Sequence, residues 1–156
     1  MFLYEVFPPE MIIVGMNSNN KNETFEELTG HLCNLNEYIS RDEVLSAIKE
    51  REDKMSTGII KGIAIPHAIS DMVSKIHGVL GISKKGINYN SLDGEAVHLV
   101  FMLLSPKEFT EKYLGLLTRL STLLCKSDFS SELSAQNTSN EAYRVIRQFE
   151  ENLSNP

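Results

Sequence analysis

Val97-His98-Leu99-Val100-Phe101-Met102-Leu103-Leu104 is an apolar run interrupted by one histidine. A strand with one wet face alternates apolar and polar residues. This run does not alternate, so it reads as a strand buried on both faces. Both of those faces need cover, which points to helices packed on a sheet. Working outward, Met11 to Met16, Ile63 to Ile65 and His77 to Ile82 read as further strands, and Ser91-Leu92-Asp93-Gly94-Glu95 as a turn before the buried one. Asn17 to Asn22 is a polar turn, after which Phe25, Leu28, Leu32 and Leu35 recur on one face of an amphipathic helix. Ser40 with Glu43, Ser105 with Glu108, and Thr138 with Glu141 carry the capping-box spacing, in which each side chain satisfies an orphan N–H of a helix start. Pro106 stands at a first helical position, where a missing N–H does no harm. The order of elements predicts an α/β single-domain sandwich over residues 1–156, a central mixed β-sheet flanked by α-helices. Residues 154–156 read as a frayed tail.

The chain has 156 residues, 42% of them hydrophobic and 23% charged, which suits one globular domain with a sizeable core. A net charge of −6 without a lysine or arginine cluster argues against nucleic acid and against a polybasic membrane anchor. No apolar run approaches the roughly 18 residues of a membrane span, and the N-terminus lacks the basic region of a signal peptide. Cys33 and Cys125, the two cysteines, fall in helical patterns and read as buried thiols of a reducing compartment, the cytoplasm.

Lys61-Gly62-Ile63-Ala64-Ile65-Pro66-His67-Ala68 places the chemistry. Pro66 ends the short strand, because proline lacks a backbone donor, and puts His67 at the mouth of the sheet on a stiff backbone. An imidazole there can exchange a proton or a phosphoryl group near neutral pH; the competing reading is an idle loop histidine. In the helix after Ser40, Val44, Ile48 and Met55 define an apolar stripe, and Arg51 falls on it, seven residues from Val44. A core-facing guanidinium either snorkels to water or points at an anion that its fork geometry matches. Tyr113 lies on the inner stripe of the helix opened by Ser105, with Phe109, Leu116, Leu117, Leu120 and Leu123, and pattern alone makes it a core aromatic. His98 reads as a satisfied sheet residue, His31 as exposed and His77 as a strand start. Histidines and cysteines lack metal-ligand spacing, and Ser70 and Asp71 make no convincing hydrolase triad with His67.

The string Ser56-Thr57-Gly58-Ile59-Ile60-Lys61-Gly62-Ile63-Ala64-Ile65-Pro66-His67 resembles the active-site signature of enzyme IIA domains of the bacterial phosphoenolpyruvate-dependent phosphotransferase system. The match is to the fructose/mannitol class, which includes nitrogen-regulatory proteins. It continues through Leu92 to Phe101, Leu103 to Pro106 and Leu117 to Ser121, and covers about residues 7–150. The resemblance implies that His67 accepts a phosphoryl group from an HPr-like phosphocarrier. It gives Arg51, sixteen residues upstream, the place of the family's phosphate-facing arginine. Many members carry a second histidine where Glu111-Lys112-Tyr113-Leu114 stands, so Tyr113 takes that place; Ala68 stands where glycine is common. The scheme needs no cofactor or metal. It leaves three roles open: a nitrogen-type regulator acting on target proteins, a sugar-specific component passing phosphate to a IIB protein, or an interaction protein whose site has degenerated at Tyr113.

Overall fold

The computed structural model describes residues 1–58, 60–126 and 128–155. Along the chain a one-turn helix α1 (Leu3–Val6) leads into β1 (Ile12–Val14), followed by α2 (Lys21–Leu35) and α3 (Arg41–Lys54). Next come β2 (Ile63–Ala64), β3 (His67–Ile69), β4 (His77–Ile87) and β5 (Val97–Ser105). Helices α4 (Thr110–Leu124), α5 (Phe129–Ser134) and α6 (Ser139–Ser154) close the chain.

The sheet order is β1-β4-β5-β2, with β3 pairing β5 beyond the end of β2. β1 and β4 run parallel, β4 and β5 antiparallel, and β2 and β3 both run parallel to β5, so the sheet is mixed. β5 is buried on both faces, as its sequence predicts. Leu99, Phe101 and Leu103 join one core with Tyr113, Leu116 and Leu120 of α4 and Val145 and Ile146 of α6. Val100, Met102 and Leu104 join a second core with Phe25, Leu28 and Leu32 of α2 and Val44 and Ile48 of α3. The result is the expected α/β sandwich, a sheet between two helical layers.

Helix starts follow the local chemistry, with one exception. Asn20, Ser40 and Thr138 each accept the N–H of a glutamate three residues on, at 2.9, 3.5 and 3.2 Å. Ser105 does not cap a helix. It is the last residue of β5 and its hydroxyl donates to the Pro106 carbonyl at 2.9 Å, while a 3-10 turn over Lys107–Phe109 delays α4 to Thr110. The strands also differ in length from the sequence reading, since β1 is shorter and β4 runs on to Ile87.

Other expectations need correction. Leu35 and Met55 are exposed; Met55 lies past the end of α3 in extended backbone and so leaves that helix's apolar stripe. Cys33 is only half-buried and Cys125 is exposed. The C-terminal end is tied down further than expected: Ser154 is the last residue of α6 and accepts Arg119 Nη2–H at 3.0 Å. Pro156 of that tail and Ile59 of the motif lie outside the described residues. Glu150, wholly buried, takes the N–H groups of Leu3 and Tyr4 at 2.8 and 2.9 Å and Arg119 Nε–H at 2.5 Å, so one carboxylate docks α1 onto α6. Among the described residues no helix is long and apolar enough to cross a membrane.

His77 begins β4 as expected, 6% exposed, and its Nε2 has no hydrogen-bond partner among the described residues. Burial, then the nearby Lys75 cation, pushes its pKa down from 6.5 to about 4. The folded chain therefore keeps His77 neutral where the unfolded chain binds a proton. Stability contributed this way is full above pH 6.5 and is lost as pH falls toward 4. Urea unfolding midpoints should fall between pH 7 and pH 4.5, and by a smaller amount in His77→Gln; equal falls in both chains would remove His77 as a cause.

Candidate active site

The edge of the sheet is broken and then resumed. β2 ends at Ala64, the Ile65 N–H turns away to the Thr57 carbonyl at 3.2 Å, and Pro66 has no N–H to offer. The Pro66 carbonyl nevertheless accepts Leu103 N–H at 3.0 Å, and pairing with β5 continues as His67↔Leu103, Ala68↔Leu104 and Ile69↔Ser105. His67 is thus a member of an edge strand. The sequence reading placed it beyond a strand end, because proline removes a donor but leaves an acceptor.

The half-buried His67 ring is fixed by its own neighbour. Its Nδ1 lies 2.6 Å from the Ile65 carbonyl oxygen. A carbonyl only accepts, so Nδ1 carries the proton, and in the neutral ring Nε2 keeps its lone pair. Burial is the main influence on the ring and lowers its pKa. The Ile65 bond raises it, the Arg51 cation lowers it and Glu52 raises it, with a net downward shift. At neutral pH the imidazole is an uncharged nucleophile with one defined tautomer.

Arg51 and Tyr113 arrive from opposite sides of the sheet. Arg51 stands in the last turn of α3, over the second core, and Tyr113 in the first turn of α4, over the first. Because His67 is on the edge, both helices reach round to it. The three residues line one open cleft of about 410 Å³ together with Leu117 and the exposed Ile69 and Leu114. The His67 and Tyr113 ring centroids are 6.1 Å apart. Arg51 Nη1 donates to the Met55 carbonyl at 3.1 Å, just past the end of α3. Its head is thereby held at the mouth of the cleft, and no other acceptor among the described residues takes its remaining N–H groups. The Tyr113 hydroxyl is buried and has no partner among the described residues. Burial raises the Tyr113 pKa, against a smaller lowering by Arg51, so the phenol keeps its proton as a donor. Cleft, cation, phenol and unprotonated Nε2 form a place for an anion beside a nucleophile.

The remaining candidates lie elsewhere. Ring nitrogens of His98 and His31 meet the carbonyls of Ser83 and Glu10, at 2.8 and 2.6 Å. Asp71 accepts Lys107 N–H at 2.9 Å, so it is not turned to His67 as a triad acid. Among the described residues no group of three or more His, Cys, Asp and Glu side chains is placed to hold a metal. The sequence reading missed Glu52. This carboxylate is 6% exposed and bonds Thr57 N–H at 2.9 Å, Thr57 Oγ1–H at 2.7 Å and Lys21 Nζ at 3.1 Å. The helical phase that singles out Arg51 applies to it too, since Glu52 follows Ile48 by four residues.

Residues 5–149 match the family described as "Phosphoenolpyruvate-dependent sugar phosphotransferase system, EIIA 2". A Bacillus subtilis protein named "PTS system fructose-specific EIIABC component" is 33% identical over 95% of this chain, which spans 23% of that relative's length. A Bradyrhizobium diazoefficiens "Nitrogen regulatory protein" is 30% identical over 94% of this chain and 95% of its own. The crystal structure of nitrogen regulatory protein IIA-Ntr from Neisseria meningitidis superposes with a TM-score of 0.84 at 26% identity, covering 92% of this chain and 98% of that one.

Two substitutions test the electrostatics. Arg51→Gln removes a cation that depresses the His67 pKa, so the imidazole titration followed by NMR should move upward; an unchanged midpoint would separate the two residues. Tyr113→Phe deletes a buried hydroxyl without a partner. It should leave stability unchanged or raise it by about 1 kcal/mol, read from denaturant unfolding; a clear loss would mean that the hydroxyl is paired in solution.

Proposed function

The chain belongs to the EIIA 2 family of the phosphoenolpyruvate-dependent sugar phosphotransferase system, whose members are phosphotransferase components, and on that footing we propose that His67 is its phosphoryl acceptor. The observation that carries the proposal is the Nδ1–H bond to Ile65, which leaves Nε2 unprotonated in a cleft shared with Arg51 and Tyr113.

The donor is a phosphohistidine on an HPr-like phosphocarrier. His67 Nε2 attacks phosphorus, the donor's P–N bond breaks as the new P–Nε2 bond forms, and the electron pair of the broken bond returns to the donor ring. The His67 ring becomes cationic as Nε2 is used, and the Ile65 carbonyl stabilises the N–H that shares this charge. Arg51 balances the phosphoryl oxygens and the Tyr113 hydroxyl donates to one of them. Transfer between two imidazoles needs positioning and charge balance rather than covalent help, so the scheme runs without a cofactor. Exposed Ile69 and Leu114 give the partner an apolar rim to dock on.

Likeness to the Neisseria and Bradyrhizobium proteins supports a nitrogen-type regulator, whose phosphorylation state sets its binding to target proteins in the cytoplasm. A second reading has its own support in the fructose-specific relative: His67 would hand the phosphoryl group to a IIB protein during sugar uptake.

Incubation with labelled phosphoenolpyruvate, enzyme I and HPr should give acid-labile label on the wild-type chain and none on His67→Ala. A wild type that stays unlabelled beside an active control IIA sinks the phosphocarrier reading; a labelled His67→Ala moves the site. Arg51→Gln should slow labelling by about 10²-fold.

A further inference from the structure

We propose that Glu52 is a positioning residue for His67, acting through Thr57 and Ile65 on the carbonyl that holds the imidazole proton. The proposal rests on His67 being the phosphoryl acceptor.

Arg51 and Glu52 are consecutive on α3 and so point about 100° apart. The first faces the cleft, and the second turns inward to 6% exposure. A buried carboxylate is costly unless its oxygens are fully bonded. Here Oε1 takes Thr57 N–H and the Lys21 ammonium, and Oε2 takes the Thr57 hydroxyl. Since the carboxylate only accepts, the single Thr57 hydroxyl proton goes to Glu52. The Tyr89 phenol, 2.9 Å from Thr57 Oγ1, must then be the donor of that bond. Tyr89 is wholly buried, and its ring carries the Lys21 ammonium 4.9 Å from its centre. Thr57 is therefore gripped at its amide and on both sides of its hydroxyl.

What Thr57 does with that rigidity is to accept Ile65 N–H at 3.2 Å, and Ile65 in turn accepts His67 Nδ1–H at 2.6 Å. Two residues thus separate the Glu52 carboxylate from the reactive ring. Apolar packing could hold a turn at least as firmly, because a buried ion pair seldom adds net stability over well-packed hydrophobic groups. What apolar packing could not do is fix the direction of the Thr57 carbonyl through directional bonds. The charged and titratable groups around His67 are Arg51, Glu52, Glu50 and Lys54 from α3 and Tyr113 from α4. Of these, Arg51 reaches only Met55 at the end of its own helix, and Glu52 is the one bonded to Thr57, whose carbonyl takes Ile65 N–H.

The experiment uses the full chain with ¹⁵N-labelled histidine and compares wild type with Glu52→Gln, Thr57→Val and Thr57→Ser. Imidazole ¹⁵N shifts at neutral pH report which ring nitrogen carries the proton, and labelled phosphoryl uptake reports rate. Wild type and Thr57→Ser should show the Nδ1–H form. Glu52→Gln and Thr57→Val should gain Nε2–H form and lose about 10- to 100-fold in rate, as small misplacements of a reacting group do. A purely structural role predicts lower melting temperatures with tautomer and rate unchanged in both variants, and that result overturns the proposal. The tautomer readout needs no phosphoryl donor. A wild type that fails to label would therefore remove the phosphocarrier reading while the ¹⁵N shifts still decide whether Glu52 orients the ring.

Discussion

Water has to be kept off both faces of β5 at once, and the placement of the other elements follows from that requirement. Each leucine, valine or phenylalanine buried there contributes about 1.5–3 kcal/mol, but only if a helical layer covers its side of the sheet. The alternation is strict: Leu99, Phe101 and Leu103 face α4 and α6, while Val100, Met102 and Leu104 face α2 and α3. A sheet covered on two sides offers chemistry only at its edges. That is where His67 stands, and there α3 and α4 each lend it a side chain.

Charge around the site is arranged by depth. Arg51 keeps its head at the mouth of the cleft, anchored to a carbonyl at the end of its own helix. Glu52, one residue on, lies inside and is compensated by Lys21. Burial holds His67 neutral and Tyr113 protonated, so with Arg51 the cleft holds a nucleophile, a donor and a cation, and its rim adds Glu50 and Lys54, one charge of each sign. An arriving phosphoryl group meets the Arg51 cation and the Tyr113 hydroxyl beside the neutral nucleophile.

Much of this was legible in the chain. The unbroken apolar character of residues 97–104 decides the two-layer cover, and helical phase brings Arg51 to the core edge opposite His67. Phase also puts Tyr113 on the inner face of α4, although sequence could not show that its hydroxyl would end without a partner beside the imidazole. The role of Pro66 was half-read: the missing donor is plain in the sequence, but the retained acceptor, and with it the resumption of the strand, depends on where Leu103 lies. Ser105 carries a capping pattern that the tertiary structure uses for the end of a strand. The Glu52–Thr57 bonds run from a helix into the loop after it and the Thr57–Tyr89 contact joins residues far apart in sequence, and neither kind leaves a periodic trace.

The interrupted edge also governs how the surface behaves toward other chains. An edge strand with a continuous row of free donors and acceptors is a template on which a foreign strand can add, and it invites aggregation. Pro66 turns its carbonyl inward to β5, whereas Ile65 presents its N–H and C=O outward; both are already taken, by the Thr57 carbonyl and the His67 ring, so this position cannot pair with an incoming strand. A protein approaching His67 therefore meets side chains rather than an extendable backbone. Its contact is reversible in kind: it can dock, exchange a group and leave without being knitted into the sheet.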